Sequence, residues 1–188
     1  MIDVCLDILN PKRCCLLVID PQENLMKVIH KADRVISNIA LMIHCAKAME
    51  IPVLATTQYK QGLGPFVPEL AELLADNTCV DKIEFNSLAN DKVKQFIVDL
   101  PAAVDTLIMV GVEAHICVYQ TAVCANKMGY RPWIVADAIS SRKGRNAKLA
   151  LSRMETIGAS VGPAEMAVYE LLERAGTPMF KAMLPYLR

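Results

Sequence analysis

The feature that most constrains this chain is a set of short, unbroken apolar runs that each end on a polar residue. In Cys14-Cys15-Leu16-Leu17-Val18-Ile19 neither parity carries a charged or amide side chain, and the run stops at Asp20-Pro21. Successive strand residues point to opposite faces, so such a strand must be covered on both sides, the condition of a parallel sheet between helix layers. Pro21 biases Asp20 away from helical backbone and marks the strand end. Residues 105–111 give the strongest strand of this kind, and residues 52–55, 79–83, 133–136 and 159–161 give shorter ones. Between them the spacing turns helical. Val28, Ala32, Val35, Ile36, Ile39, Ile43 and Ala46 recur at three- and four-residue intervals. Residues 69–74, 90–99, 115–128, 145–157 and 163–172 read as further helices, with Gly129 closing the one before it. Strands alternating with helices imply right-handed crossovers. The expected fold is α/β: a three-layer α/β/α, doubly wound, mostly parallel sheet. No linker, repeat or composition break appears, so a single domain over residues 1–188 is expected, with 176–188 a C-terminal tail packed on the body or on a neighbouring subunit.

Charge narrows the partners. Twenty Lys and Arg balance twenty Asp and Glu, which removes the electrostatic footprint of a general nucleic-acid or anionic-membrane binder. Hydrophobic residues make up 54% against 21% charged, a balance that excludes intrinsic disorder. The longest apolar run, 107–112, has six residues where roughly 20 are needed to cross a bilayer, so no membrane span is expected. The apolar excess points instead to buried strands and a subunit interface. Met1-Ile2-Asp3-Val4-Cys5-Leu6-Asp7 has no basic region leading into a long apolar segment, so no secretory signal is expected. The seven cysteines are odd in number, form no CxxC and mostly lie in apolar stretches. Buried free thiols in a reducing, cytoplasmic compartment are the expectation. No GxGxxG and no GxxxxGK with a following Ser or Thr stands after a strand, so a nucleotide cofactor has no sequence support.

In a doubly wound sheet the reactive groups stand beyond the C-terminal strand ends, near the point where strand order reverses. Asp20 leaves the first strand, Thr56-Thr57-Gln58-Tyr59 the second, and Lys82 lies near the end of the third. Gly111-Val112-Glu113-Ala114-His115-Ile116-Cys117 leaves the fourth and Asp137 the fifth. An acid, an amine and a thiol thus converge on one rim. Cys117 falls in the first turn or so of a helix, where unpartnered N–H groups favour a thiolate, and Lys82 would add positive charge. Asp20 would accept the thiol proton and later deliver it to a leaving amine, and N–H groups over 113–117 would hold an oxyanion. The bland alternatives stay open: Cys117 as a structural thiol, Asp81, Lys82 and Glu84 as loop charges, Tyr59 as a pocket wall, and Asp137 as a cap for the turn through Ser140-Ser141. His30 and His44 would lie fourteen residues apart on one helix, about 21 Å, too far to share a metal. His115 points away from Cys117 because i,i+2 side chains diverge. Arg142, Lys143, Arg145 and Lys148 form a local basic run, read as surface or anion-contacting.

The segments LLVIDPQ (16–22), VLATTQYKQGLGPFVPEL (53–70), VDKIEFNSL (80–88), GVEAHICVYQTA (111–122) and VADAISSR (135–142) together resemble the isochorismatase-like cysteine hydrolase superfamily. The branch most resembled is that of the isochorismatase-domain-containing proteins, and the likeness runs from about residue 12 to the C-terminus. It implies a six-stranded parallel sheet and a triad of Asp20, Lys82 and Cys117. In that triad the cysteine attacks a carbonyl, the aspartate relays protons and the lysine supports the charge. It also implies a cis peptide at Val112–Glu113 that aims the N–H groups of Glu113 and Cys117 at an oxyanion. Gln22, Gln58, Tyr59, Phe85 and Ala114 are the expected substrate pocket.

Departures from the family pattern narrow the substrate. Metal-dependent nicotinamidases carry Asp-x-His after the second strand, whereas Thr57-Gln58-Tyr59-Lys60-Gln61 holds no histidine. The family's frequent threonine three residues before the cysteine is Ala114, and a Ser-Ala-Phe-like segment is replaced by Phe85-Asn86-Ser87-Leu88. True isochorismatases cleave a vinyl ether without a nucleophilic cysteine, so Cys117 with Lys82 fits an amidase-type site. The implied activity is metal-independent cleavage of a C–N bond in a small amide through a thioester at Cys117. The alternatives are vinyl ether hydrolysis using Asp20 alone, and a catalytically silent oligomeric scaffold. No cofactor is expected. The expected partners are a small-molecule substrate and further copies of the chain. Their seam would draw on Tyr119, Val123 and Met128 and on Met166, Tyr169, Phe180, Met183 and Leu184.

Overall fold

Six strands pair side by side in the computed structural model, which describes residues 8–187. They are β1 (Cys14–Ile19), β2 (Val53–Gln58), β3 (Thr78–Lys82), β4 (Thr106–Val112), β5 (Arg131–Ser140) and β6 (Ser160–Gly162). Every pairing is parallel and the spatial order is β3-β2-β1-β4-β5-β6. After β1 the chain forms α1 (Glu23–Met26) and α2 (Ala32–Ala48), and after β2 it forms α3 (Lys60–Leu63) and α4 (Pro68–Ala71). The later helices are α5 (Asp91–Val98), α6 (Tyr119–Lys127), α7 (Gly144–Thr156), α8 (Ala164–Leu172) and α9 (Pro178–Met183).

The parity argument for β1 holds residue by residue. Cys14, Leu16 and Val18 enter one buried cluster with Val35, Ile39 and Met42 of α2, Ala167 and Leu171 of α8, and Met183 of α9. Cys15, Leu17 and Ile19 enter the other, with Val93 and Ile97 of α5, Ala122 and Ala125 of α6, and Met154 of α7. The sheet is therefore the middle of three layers, with α2, α8 and α9 on one face and α5, α6 and α7 on the other.

Some boundaries differ from the sequence reading, for local reasons. The helix expected to begin near Val28 starts at Ala32, because Lys31 takes a left-handed φ of 57°. Val28 is exposed, and His30 stands outside the helix instead of sharing it with His44. β5 runs to Ser140 instead of stopping near residue 136, because the polar residue in its path is satisfied: Asp137 Oδ1 accepts the Ala164 N–H at 2.8 Å. The tail folds onto its own chain. Thr177 caps α9 by accepting the Phe180 N–H, Met183 is fully buried, and Tyr186 stacks on His44 of α2 at 4.0 Å. Met183 is thus a core residue and leaves the expected subunit seam. The sequence expectations for residues 1–7, Cys5 among them, lie outside the described residues. Among the described residues no helix is long and apolar enough to cross a membrane.

Candidate active site

Strand order reverses between β1 and β4, and Gly111 sets how closely these strands approach. Its φ is 116°, and a Cβ there would lie 2.0 Å from the Ile19 carbonyl oxygen, so only glycine fits. Asp20 follows β1 with a left-handed φ of 53°, and its N–H donates to the Thr56 carbonyl at 3.0 Å. Both oxygens of its buried carboxylate are engaged. Oδ1 accepts the Thr56 hydroxyl at 2.7 Å and Oδ2 accepts Lys82 Nζ at 2.8 Å. Lys82, the last residue of β3, also donates to Gln58 Oε1 at 2.7 Å and to the Glu84 carbonyl at 3.2 Å. An ammonium group has three protons, and all three have acceptors. The Asp20 and Lys82 side chains are 0% exposed, and an ion pair taken out of water needs such a full set of hydrogen bonds to offset its desolvation.

Gln58 anchors the lysine from below. Its Nε2 donates to the Ile83 carbonyl at 2.8 Å, and its backbone N–H donates to Gln22 Oε1 at 2.6 Å. Gln22 in turn donates to the Gly64 carbonyl at 2.7 Å, which ties the loop after α3 to the same network.

On the other side, the Val112–Glu113 peptide is cis. Residues Ala114–Val118 then form one wide helical turn in which Ile116 and Val118 both donate to the Glu113 carbonyl. Cys117 sits in that turn, 5% exposed. Its thiol is pushed up to about 12 from an ordinary 9.0, mainly by burial and next by the Asp20 charge, with a hydrogen bond to Asp20 acting the same way. Lys82 and a backbone contact at Glu113 pull in the opposite direction and lose. Burial and the neighbouring Asp20 charge thus both favour the protonated thiol. The same two causes oppose the thiolate that the start of a helix and Lys82 favour.

The structure thus brings Asp20, Lys82 and Cys117 together. The other expected site residues are distributed differently. Gln22 and Gln58 are buried struts of the network, and Ala114 is fully buried in the second core cluster. Tyr59 and Phe85 are about half exposed, with the Tyr59 ring lying over Gly62. The Glu113 carboxylate accepts the Arg142 N–H at 2.9 Å and pairs with its guanidinium at 3.2 Å. His115 turns away from the thiol, with Nδ1 2.9 Å from Ser141 Oγ and Nε2 3.3 Å from Asn146 Nδ2. Asp137 caps the start of α8 rather than the turn after β5. Among the described residues no three His, Cys, Asp or Glu side chains are grouped so as to hold a metal ion. Two contributions escaped the sequence reading: the Thr56 hydroxyl on Asp20 and the Gln58 amide on Lys82. Register carries both, since Thr56 pairs with Ile19 and Gln58 with Lys82 across neighbouring strands.

A 3-2-1-4-5-6 parallel sheet with a buried Asp–Lys pair against a thiol at its switch point defines an isochorismatase-like hydrolase architecture. The chain belongs to the isochorismatase family, whose model, described as Isochorismatase domain, matches residues 14–166. Isochorismatase domain-containing protein 2 of Xenopus laevis is 35% identical over 174 residues, 92% of this chain and 82% of its own. The secreted isochorismatase effector Isc1 of Phytophthora sojae is 33% identical over 93% of this chain and 84% of its own. Among solved structures, the MAR1 ribonuclease of Caenorhabditis elegans superposes with a TM-score of 0.89 at 32% identity, over 96% of this chain and 92% of that one. The YcaC gene product of Escherichia coli, an octameric hydrolase of unknown specificity, shares the fold with a TM-score of 0.87 at 23% identity, over 95% of this chain and 92% of that one.

Proposed function

We propose that the chain is a metal-independent cysteine hydrolase that cleaves the C–N bond of a small amide. The observation that carries this reading is the buried Asp20 carboxylate, held by Lys82 at 2.8 Å and Thr56 at 2.7 Å, whose charge acts on the Cys117 thiol. As Sγ attacks the amide carbon, its proton passes to Asp20, so no free thiolate has to form at neutral pH. The carbonyl oxygen becomes an oxyanion held by the N–H groups of Glu113 and Cys117. Collapse of the tetrahedral adduct breaks the C–N bond, and the amine leaves with the proton from Asp20. Water then gives a proton to Asp20 and attacks the thioester. The carboxylic acid departs and the thiol regains its proton. Lys82 stays charged throughout and neutralises Asp20 whenever the proton is elsewhere.

A second reading is vinyl ether hydrolysis with Asp20 as the acid, which fits the burial and like charge that push the Cys117 thiol up. The relative described as a ribonuclease adds RNA to the substrates to assay. Intact-mass trapping during turnover of small amides separates these readings. An acyl adduct that disappears in Cys117→Ser supports covalent catalysis. No adduct across a broad amide panel, with full activity of Cys117→Ala on isochorismate, overturns it. The six described cysteines are all free, including the adjacent buried pair Cys14 and Cys15, which fits a reducing compartment such as the cytoplasm.

A further inference from the structure

A hollow between the start of α2, the end of β5 and the start of α7 takes no part in the chemistry above. β6 pairs with β5 only over Trp133, Ile134 and Val135, so β5 from Ala136 to Ser140 has no strand on its outer edge. The space left there is a cavity of about 670 Å³. Its wall carries Lys31, Arg34, Arg145, Lys148 and His30, and none of its lining residues is acidic. Among the described residues the four Lys and Arg side chains make no ion pair or hydrogen bond. In a chain whose formal net charge is zero, this is a local excess of four positive charges without a counter-ion. Like charges gathered around one concavity repel unless an anion enters.

Two further details shape the anion. Gly144, the first residue of α7, lines the hollow and no side chain caps that helix, so the N–H groups of Gly144 and Arg145 are available to an acceptor. A Cβ at Gly144 would lie 2.9 Å from His30 Cδ2, so glycine also leaves room for the imidazole. One carboxylate would leave most of the charge unbalanced. A phosphate or diphosphate supplies several negative oxygens and matches guanidinium geometry. The volume is that of a small-molecule site.

We propose that this hollow is a second binding site, for a small phosphate-bearing molecule, separate from the Asp20–Lys82–Cys117 cluster. One wall is tied to the turn that holds Cys117. Ser140 Oγ donates to the His30 carbonyl at 2.7 Å, and the His30 N–H donates to the Ser141 carbonyl at 3.1 Å. Ser141 Oγ bonds His115 two residues before Cys117.

Calorimetric titration of the full chain with inorganic pyrophosphate at low salt tests the site. Binding should be submillimolar, weaken with added salt, and fall about tenfold in Arg34→Ala and in Lys148→Ala. These exposed positions leave folding intact, which circular dichroism checks, and Lys92→Ala on α5 should bind as the parent does. Cys117→Ser should bind unchanged, so loss of the proposed hydrolase chemistry and loss of this site are told apart. No heat up to about 5 mM pyrophosphate, or affinity untouched by both substitutions, overturns the proposal. A short single-stranded RNA that binds far more tightly than pyrophosphate through the same side chains overturns the small-molecule reading in favour of a nucleic-acid backbone.

Discussion

At the residue scale, Asp20 acts on Cys117 in two opposed ways, as proton acceptor and as a like charge that resists ionisation. Asp20→Asn removes both. The thiol value should drop from about 12, and alkylation by iodoacetamide at pH 8 should quicken by about threefold for each unit of that drop, while hydrolysis is abolished. Unchanged or slower alkylation would show that the carboxylate does not govern the thiol. The same physics sets an alkaline limit on stability. Burial raises Cys15, Cys45 and Cys117 to about 12 and Cys14 to about 11 from 9.0. The folded state therefore holds these protons more tightly than the unfolded chain. Their contribution is complete below pH 9.0 and is lost as pH rises towards 12, by up to about 1.4 kcal/mol per pH unit for each thiol. Urea midpoints should be flat from pH 7 to 8.5 and fall steeply above pH 9.5; a flat curve to pH 11 would contradict this. Asp20 and Lys82 are legible as strand-end positions because each stands at or just beyond an apolar run, whereas the choice of Cys117 among seven cysteines rests on the family resemblance. The upward push on the thiol is not legible in sequence, because its main cause is burial, which is not a property of spacing.

At the scale of elements, β1 and β4 are readable from their apolar parities alone, while their closeness depends on one residue. Gly111→Ala would place a methyl group 2.0 Å from the Ile19 carbonyl oxygen at a φ of 116°. The strands would have to separate at the switch point, at a cost of about 3 kcal/mol or more. Gly129→Ala, with a φ of 89° and nothing within 4 Å, is the control and should cost only about 1–2 kcal/mol. Equal losses in chemical denaturation would mean that backbone angle, not the β1 contact, is what Gly111 provides. Other elements were hidden from the sequence for a related reason. The wide turn at Ala114–Val118 and the left-handed Lys31 are choices of backbone path. Neither leaves a mark on hydrophobic periodicity, which is why Cys117 read as the start of a regular helix and His30 as part of one.

At the scale of the whole molecule, the apolar excess of the composition is only partly absorbed by the two core clusters. Met166 and Tyr169 on α8 and Leu184 and Tyr186 in the tail remain exposed, and Tyr169 leans on Phe180 of α9 at 6.5 Å between ring centroids. These side chains are exposed although α8 itself packs on the sheet through Ala167 and Leu171. Exposed large apolar groups on α8 and the adjoining tail suit a contact between copies. We propose a homo-oligomer joined through this surface. Size exclusion with light scattering at micromolar concentration should give a multiple of the 20.7 kDa chain mass. Tyr169→Glu, which places a charge at a half-exposed position and gives up only the tilted ring contact with Phe180, should shift the mass to that of the monomer with the circular dichroism unchanged. A parent chain that elutes as a monomer overturns the assembly. A Tyr169→Glu chain that stays assembled overturns this surface as its interface.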